Sequence, residues 1–104
     1  MATTYLIDSN VLIYATNEDS EFHPQALEVV RKVLEGKIRA CVAYQNLHEL
    51  YAVITDPKRV ERPLSPRDAR EVIEFYIKAR NIRKSNISNA LELLKKYDVH
   101  DDEN

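Results

Sequence analysis

Two short apolar runs, each too brief for a helix, bracket a well-punctuated helical pattern, and this spacing leaves the chain few folds. Thr4-Tyr5-Leu6-Ile7 is the first run and Ile38 to Ala43 the second. Uninterrupted apolar stretches of this length read as buried strands. Between them Leu27, Val30 and Leu34 place an apolar stripe at helical spacing. Pro24 suits the first turn of that helix, and Gly36 stands just past its end, where a left-handed residue is favoured. Strand, helix, strand in this order predicts a right-handed parallel βαβ unit. Val11 to Ala15 fits either a short helix or a continuation of the first strand.

Downstream, Tyr44 to Ile54 has helical spacing, with Leu47, Leu50, Tyr51 and Ile54 on one face, and Asp56-Pro57 ends it. A basic loop follows, carrying Lys58, Arg59 and Arg62. Ser65-Pro66-Arg67-Asp68 opens another helix, with serine as the cap and an acid three residues on. Its inner face is expected to hold Ala69, Val72, Ile73, Tyr76 and Ile77. A last helix is expected from Ser85 to Tyr97, before the apolar pattern gives way to His100-Asp101-Asp102-Glu103-Asn104. The expected architecture is a single helix-rich α/β domain over residues 1–104 with two evident strands. Two strands make a poor sheet, so the domain is expected to be incomplete at its C-terminal side.

Composition narrows the function classes. An apolar share of 44% and a charged share of 31% over 104 residues are those of an ordinary globular domain. No run approaches the roughly 20 apolar residues of a membrane span. Met1 to Tyr5 lacks the basic start and apolar core of a signal peptide, so cytoplasm is the expected location and no membrane partner is expected. Cys41 stands alone in an apolar run, which fits a small buried side chain and excludes a cysteine zinc site. With only one glycine there is no glycine-rich phosphate loop. A formal net charge of −2 gives no global attraction to nucleic acid, so any such contact must come from local basic patches.

The residues best placed for chemistry are two acids. In an open parallel sheet, ligands bind outside the C-terminal ends of the strands. Asp8 lies at that end of the first strand, and Glu49 lies early in the helix after the second. Two carboxylates converging there suit a hard divalent cation, which prefers oxygen ligands and, for magnesium, keeps several waters. The same residues have plainer roles available. An aspartate at a strand end caps the next helix, and a glutamate early in a helix complements its dipole. His48-Glu49 does not extend to a zinc-protease helix, because Ala52 stands where the second histidine would be.

Asp8-Ser9-Asn10-Val11-Leu12-Ile13 after a short apolar strand resembles the opening motif of the PIN-domain family, which includes VapC-type toxins. The stretch from Val42 to Tyr51, containing Gln45-Asn46-Leu47-His48-Glu49, is similar to the family's second motif. Ala52 to Val60, followed by Pro63-Leu64-Ser65, resembles the connecting segment of VapC-like members. The resemblance implies a parallel sheet flanked by helices and a Mg²⁺- or Mn²⁺-dependent endoribonuclease. It maps Asp8 and Glu49 as metal ligands, with Ser9 and Asn10 supporting the first acid. It also implies an RNA substrate, a cognate antitoxin protein and a homodimer. The family places a third aspartate shortly after a phrase that Val99 to Asn104 begins to match. The chain is therefore expected to stop just before that ligand, unless Asp101, Asp102 or Glu103 replaces it. Lys58, Arg59 and Arg62 are candidates for RNA contact, with a second basic group at Lys78, Arg80, Arg83 and Lys84. The alternative is a non-catalytic PIN-like module that binds RNA or a protein partner.

Overall fold

A computed structural model describes residues 3–85. The elements run β1 (Thr4–Leu6), α1 (Ser9–Thr16), α2 (His23–Leu34), β2 (Arg39–Ala43), α3 (Tyr44–Ile54), α4 (Pro66–Lys78) and β3 (Ile82–Ser85). The strands form a three-stranded sheet in the order β1-β2-β3, and both pairings are parallel. The fold is α/β and PIN-like, as the sequence predicts. The strand expected at residues 38–43 and the helix at 44–54 stand where the sequence puts them. The ambiguous segment after Asp8 is helical. The expected helix from Ser85 to Tyr97 lies outside the described residues apart from Ser85, which belongs to β3. No described helix is long and apolar enough to cross a membrane.

Strand β2 is central because Ala40, Cys41, Val42 and Ala43 are all buried, so both of its faces are covered. A central parallel strand reads as a continuous apolar run for that reason. The third strand escapes this test. In Ile82-Arg83-Lys84-Ser85 only the two end residues are buried, which is the charged pattern of an edge strand. Two of the expected basic cluster, Arg83 and Lys84, therefore lie in a strand. The half-buried Lys84 ammonium donates to the carbonyls of Ala79 and Ile82, the latter at 2.6 Å, and loss of solvent pulls its pKa down.

Leu12, Leu50, Ile82, Val33 and Val42 are almost wholly excluded from solvent and form the centre of the core. Helix α1 packs against both α2 and α3, and α4 packs on α3 and β3. The inner face of α2 is set by Ala26, Val30 and Val33. Val30 is buried and Leu34 half-buried as expected, but Leu27 is 46% exposed and its neighbour Ala26 takes the inward position. In α4 only Ala69 and Tyr76 are buried, while Val72 and Ile73 are half-buried and Ile77 is exposed. Burial raises the Tyr76 phenol to about 12.

The helix ends follow their chemistry. Ser65 Oγ accepts from the Asp68 N–H at 3.1 Å, capping α4. Gly36 has φ +80°, the left-handed geometry that closes α2. Asn81 donates to the Leu34 carbonyl at 2.7 Å, tying the approach to β3 onto that helix end. The half-buried His23 places a ring nitrogen 2.9 Å from the Tyr14 carbonyl and so joins α2 to α1.

The core assignment predicts unequal effects from two leucines. Leu50→Ala removes a fully buried side chain and is expected to cost about 2–5 kcal/mol in urea unfolding. Leu27→Ala is expected to change stability by about 0.5 kcal/mol or less. Equal losses would refute the assigned face of α2.

Candidate metal centre at the C-terminal edge of the sheet

Parallel pairing of β1 with β2 sets Leu6 opposite Cys41, and the Ile7 N–H continues the ladder to the Cys41 carbonyl at 2.9 Å. Both strands therefore end on the same edge. At that edge β1 yields to α1 through Asp8, and β2 yields to α3 with no intervening loop. Glu49 follows about a turn and a half into α3. Asp8, Ser9, Asn10, Glu49 and Arg59 line a hollow of about 340 Å³ with Ile13, Ala52 and Val53.

Asp8 is the N-cap of α1, in extended conformation, and its Oδ1 accepts from the Asn10 N–H at a long 3.5 Å. This contact is at the limit of a useful hydrogen bond, so the cap engages the carboxylate only weakly. Ser9 is buried at 7% exposure, and its hydroxyl donates to Glu49 Oε1. The same Ser9 oxygen accepts from Asn46 Nδ2 at 2.9 Å, and Asn46 Oδ1 accepts from the Ala43 N–H at 3.0 Å. Thus α1, the end of β2 and α3 are joined by side chains at the mouth of the hollow. Asn10 is exposed on its rim.

The structure brings together Asp8, Ser9, Asn10, Glu49 and Arg59 from the sequence-predicted residues. It does not bring Arg62 there. Arg62 makes a two-pronged contact with Asp19, at 3.0 Å from Nε and 2.9 Å from Nη2, and approaches Glu18 at 3.8 Å. Lys58 is exposed in the turn at Asp56, whose carboxylate accepts the Lys58 N–H at 2.9 Å, and it does not line the hollow. Asp101, Asp102 and Glu103 lie outside the described residues. Among the described residues no group of three or more His, Cys, Asp or Glu side chains converges in a metal-binding cluster.

Two exposed carboxylates remain, and their chemistry fits a hard cation that keeps most of its waters. The Ser9 contact engages only Oε1 of Glu49, leaving its second carboxylate oxygen available to a ligand. Asn46 is the site residue that the sequence motifs do not single out. The signal was present: an asparagine at the third helical position can reach back to the N–H at the helix start, as in half of a capping box.

The chain is 34% identical over 84 residues to ribonuclease VapC24 from two strains of Mycobacterium tuberculosis. The alignment covers 81% of this chain and 56% of that protein, so the chain spans about half the length of the curated relatives it matches. Over that span the chain resembles a VapC ribonuclease. No family model matches it. The segments that resemble the two motifs fall on the β1–α1 junction and on β2–α3, and both contribute residues to the same hollow.

The Arg62 guanidinium, by hydrogen bonding, holds the exposed Asp19 carboxyl below its ordinary 3.8. A depressed folded-state value means the contact favours folding above the ordinary carboxylate range and loses that effect as pH falls through the depressed value. Arg62→Ala is expected to return the Asp19 titration, followed by carboxyl NMR, towards 3.8. No change would show that the pair is not formed in solution.

Proposed function

We propose that this chain carries the metal-binding half of a VapC-type endoribonuclease site, with Asp8 and Glu49 as ligands to Mg²⁺ or Mn²⁺. The observation that carries the reading is the fixing of Glu49 by buried Ser9, beside Asp8 and facing the same hollow. A divalent cation held there supplies charge neutralisation at an RNA phosphodiester and makes bound water more acidic.

The chain's own residues do the rest. Asp8 and Glu49 present oxygen donors from two different crossovers of the sheet. Ser9 restrains Glu49, and Asn10 closes the rim beside Asp8. Arg59 is the basic side chain that lines the hollow and suits contact with a substrate phosphate. Lys58 is exposed outside the hollow and Arg62 is engaged by Asp19, so Arg59 carries this role. Single-stranded or looped RNA fits better than duplex, since its bases are open to selection.

The family resemblance extends this reading to a single PIN-like domain that acts as a homodimer in the cytoplasm, restrained by a cognate antitoxin.

Cleavage of a mixed structured RNA with Mn²⁺ tests the proposal. Asp8→Ala and Glu49→Ala are each expected to reduce cutting by about 100-fold or more. Arg59→Ala is expected to reduce it by roughly tenfold, the weight of one hydrogen bond to a charged group. Cutting that survives in both acid variants contradicts the assignment. RNA binding without cutting by the unmutated chain would favour the alternative, a non-catalytic PIN-like module.

A further inference from the structure

The hydrogen bonds that end on Glu49 run in one direction. The Ala43 backbone N–H can only donate, so the group of Asn46 facing it must be the carbonyl oxygen Oδ1. That fixes the amide and turns Nδ2, which can only donate, towards Ser9 at 2.9 Å. The Ser9 hydroxyl has one hydrogen. With Asn46 donating to its oxygen, that hydrogen is left for the Glu49 carboxylate.

We propose that Asn46 is a positioning residue for Glu49, acting through Ser9. It sets the direction of the Ser9 hydroxyl, which in turn holds Glu49 Oε1 and leaves the other oxygen facing the hollow. The inference rests on the reading of Asp8 and Glu49 as cation ligands, and it adds a residue that makes no contact with the cation or the RNA. Two features separate this role from simple helix capping. A cap would need only Oδ1, whereas here the amide is used at both ends. Ser9 lies 37 residues away in sequence and is buried, so the contact joins two crossovers of the sheet and not one helix to itself. Partners that orient a ligand in this way typically change metal affinity by about 10–100-fold when removed.

Side-chain amide NMR of the ¹⁵N-labelled chain, combined with Mn²⁺ titration, tests the proposal. Without metal, Ser9→Ala is expected to shift the Asn46 side-chain amide signals and speed their exchange with water. This arm leaves Asn46 in place, so it does not depend on the folding of an Asn46 variant. With Mn²⁺, Asn46→Ala and Ser9→Ala are each expected to weaken binding by about 10–100-fold. The double variant is expected to be no weaker than the worse single one, since both act on Glu49 through one path. Additive losses, or Asn46 signals indifferent to Ser9→Ala, overturn the proposal. If the unmutated chain binds no Mn²⁺ while the Asn46 signals answer to both Ser9→Ala and Glu49→Ala, the metal reading fails. The positioning of Glu49 by Asn46 is then supported on its own.

Discussion

Parallel pairing of β1 and β2 is the constraint on which the candidate site depends. Parallel strands finish on the same edge of a sheet, so the residues that follow each of them are brought together whatever lies between. Only Ile7 separates β1 from Asp8, and Tyr44, which opens the helix of Glu49, follows β2 directly, so no long loop moves either acid away from that edge. An antiparallel pairing of the same two strands would put Asp8 and Glu49 at opposite ends of the sheet. The burial of Ala40 to Ala43 on both faces is what holds β2 in the centre, and hence holds this geometry.

The helices convert that topology into a fixed arrangement. Leu12 of α1 and Leu50 of α3 are fully buried in the core, so the two helices that carry the site residues are packed rigidly beneath it. Asp8 stands at the N-cap of α1 and Glu49 stands beside Leu50 in α3, and both are exposed at that edge of the sheet. Ser9 then links them across the mouth of the hollow, and Asn46 links Ser9 to the end of β2. The exposed acids are thus mounted on a dry foundation, which keeps the geometry of a polar site without burying charge.

Much of this was legible in the sequence. The run at residues 38–43 announces a buried strand because Ala40 to Ala43 are apolar on both faces. The run at residues 4–7 announces a strand, but not a buried one, since Tyr5 is exposed and Thr4 and Leu6 are half-buried. Pro24, Gly36 and Ser65 mark helix boundaries by their own stereochemistry. What was lost had physical causes. Strand β3 carries Arg83 and Lys84 in its middle, so no run or alternation of apolar residues betrays it, and pairing with β2 alone makes it a strand. Leu27 is the larger apolar side chain, yet the inner face of α2 is built on the smaller Ala26 with Val30 and Val33. At the site, the resemblance of the two motifs indicated Asp8, Ser9, Asn10 and Glu49. It could not indicate that Arg62 is drawn away by Asp19, a contact spanning 43 residues, or that Arg59 lies at the hollow. Long-range pairings of exposed charges leave no local trace in a sequence.

Anomalous diffraction at the manganese edge, on crystals of the chain soaked in Mn²⁺, tests the central claim most directly. A single strong peak within coordination distance of both Asp8 and Glu49 is the predicted result. A peak bound by other side chains, or none at that edge of the sheet, would contradict the account.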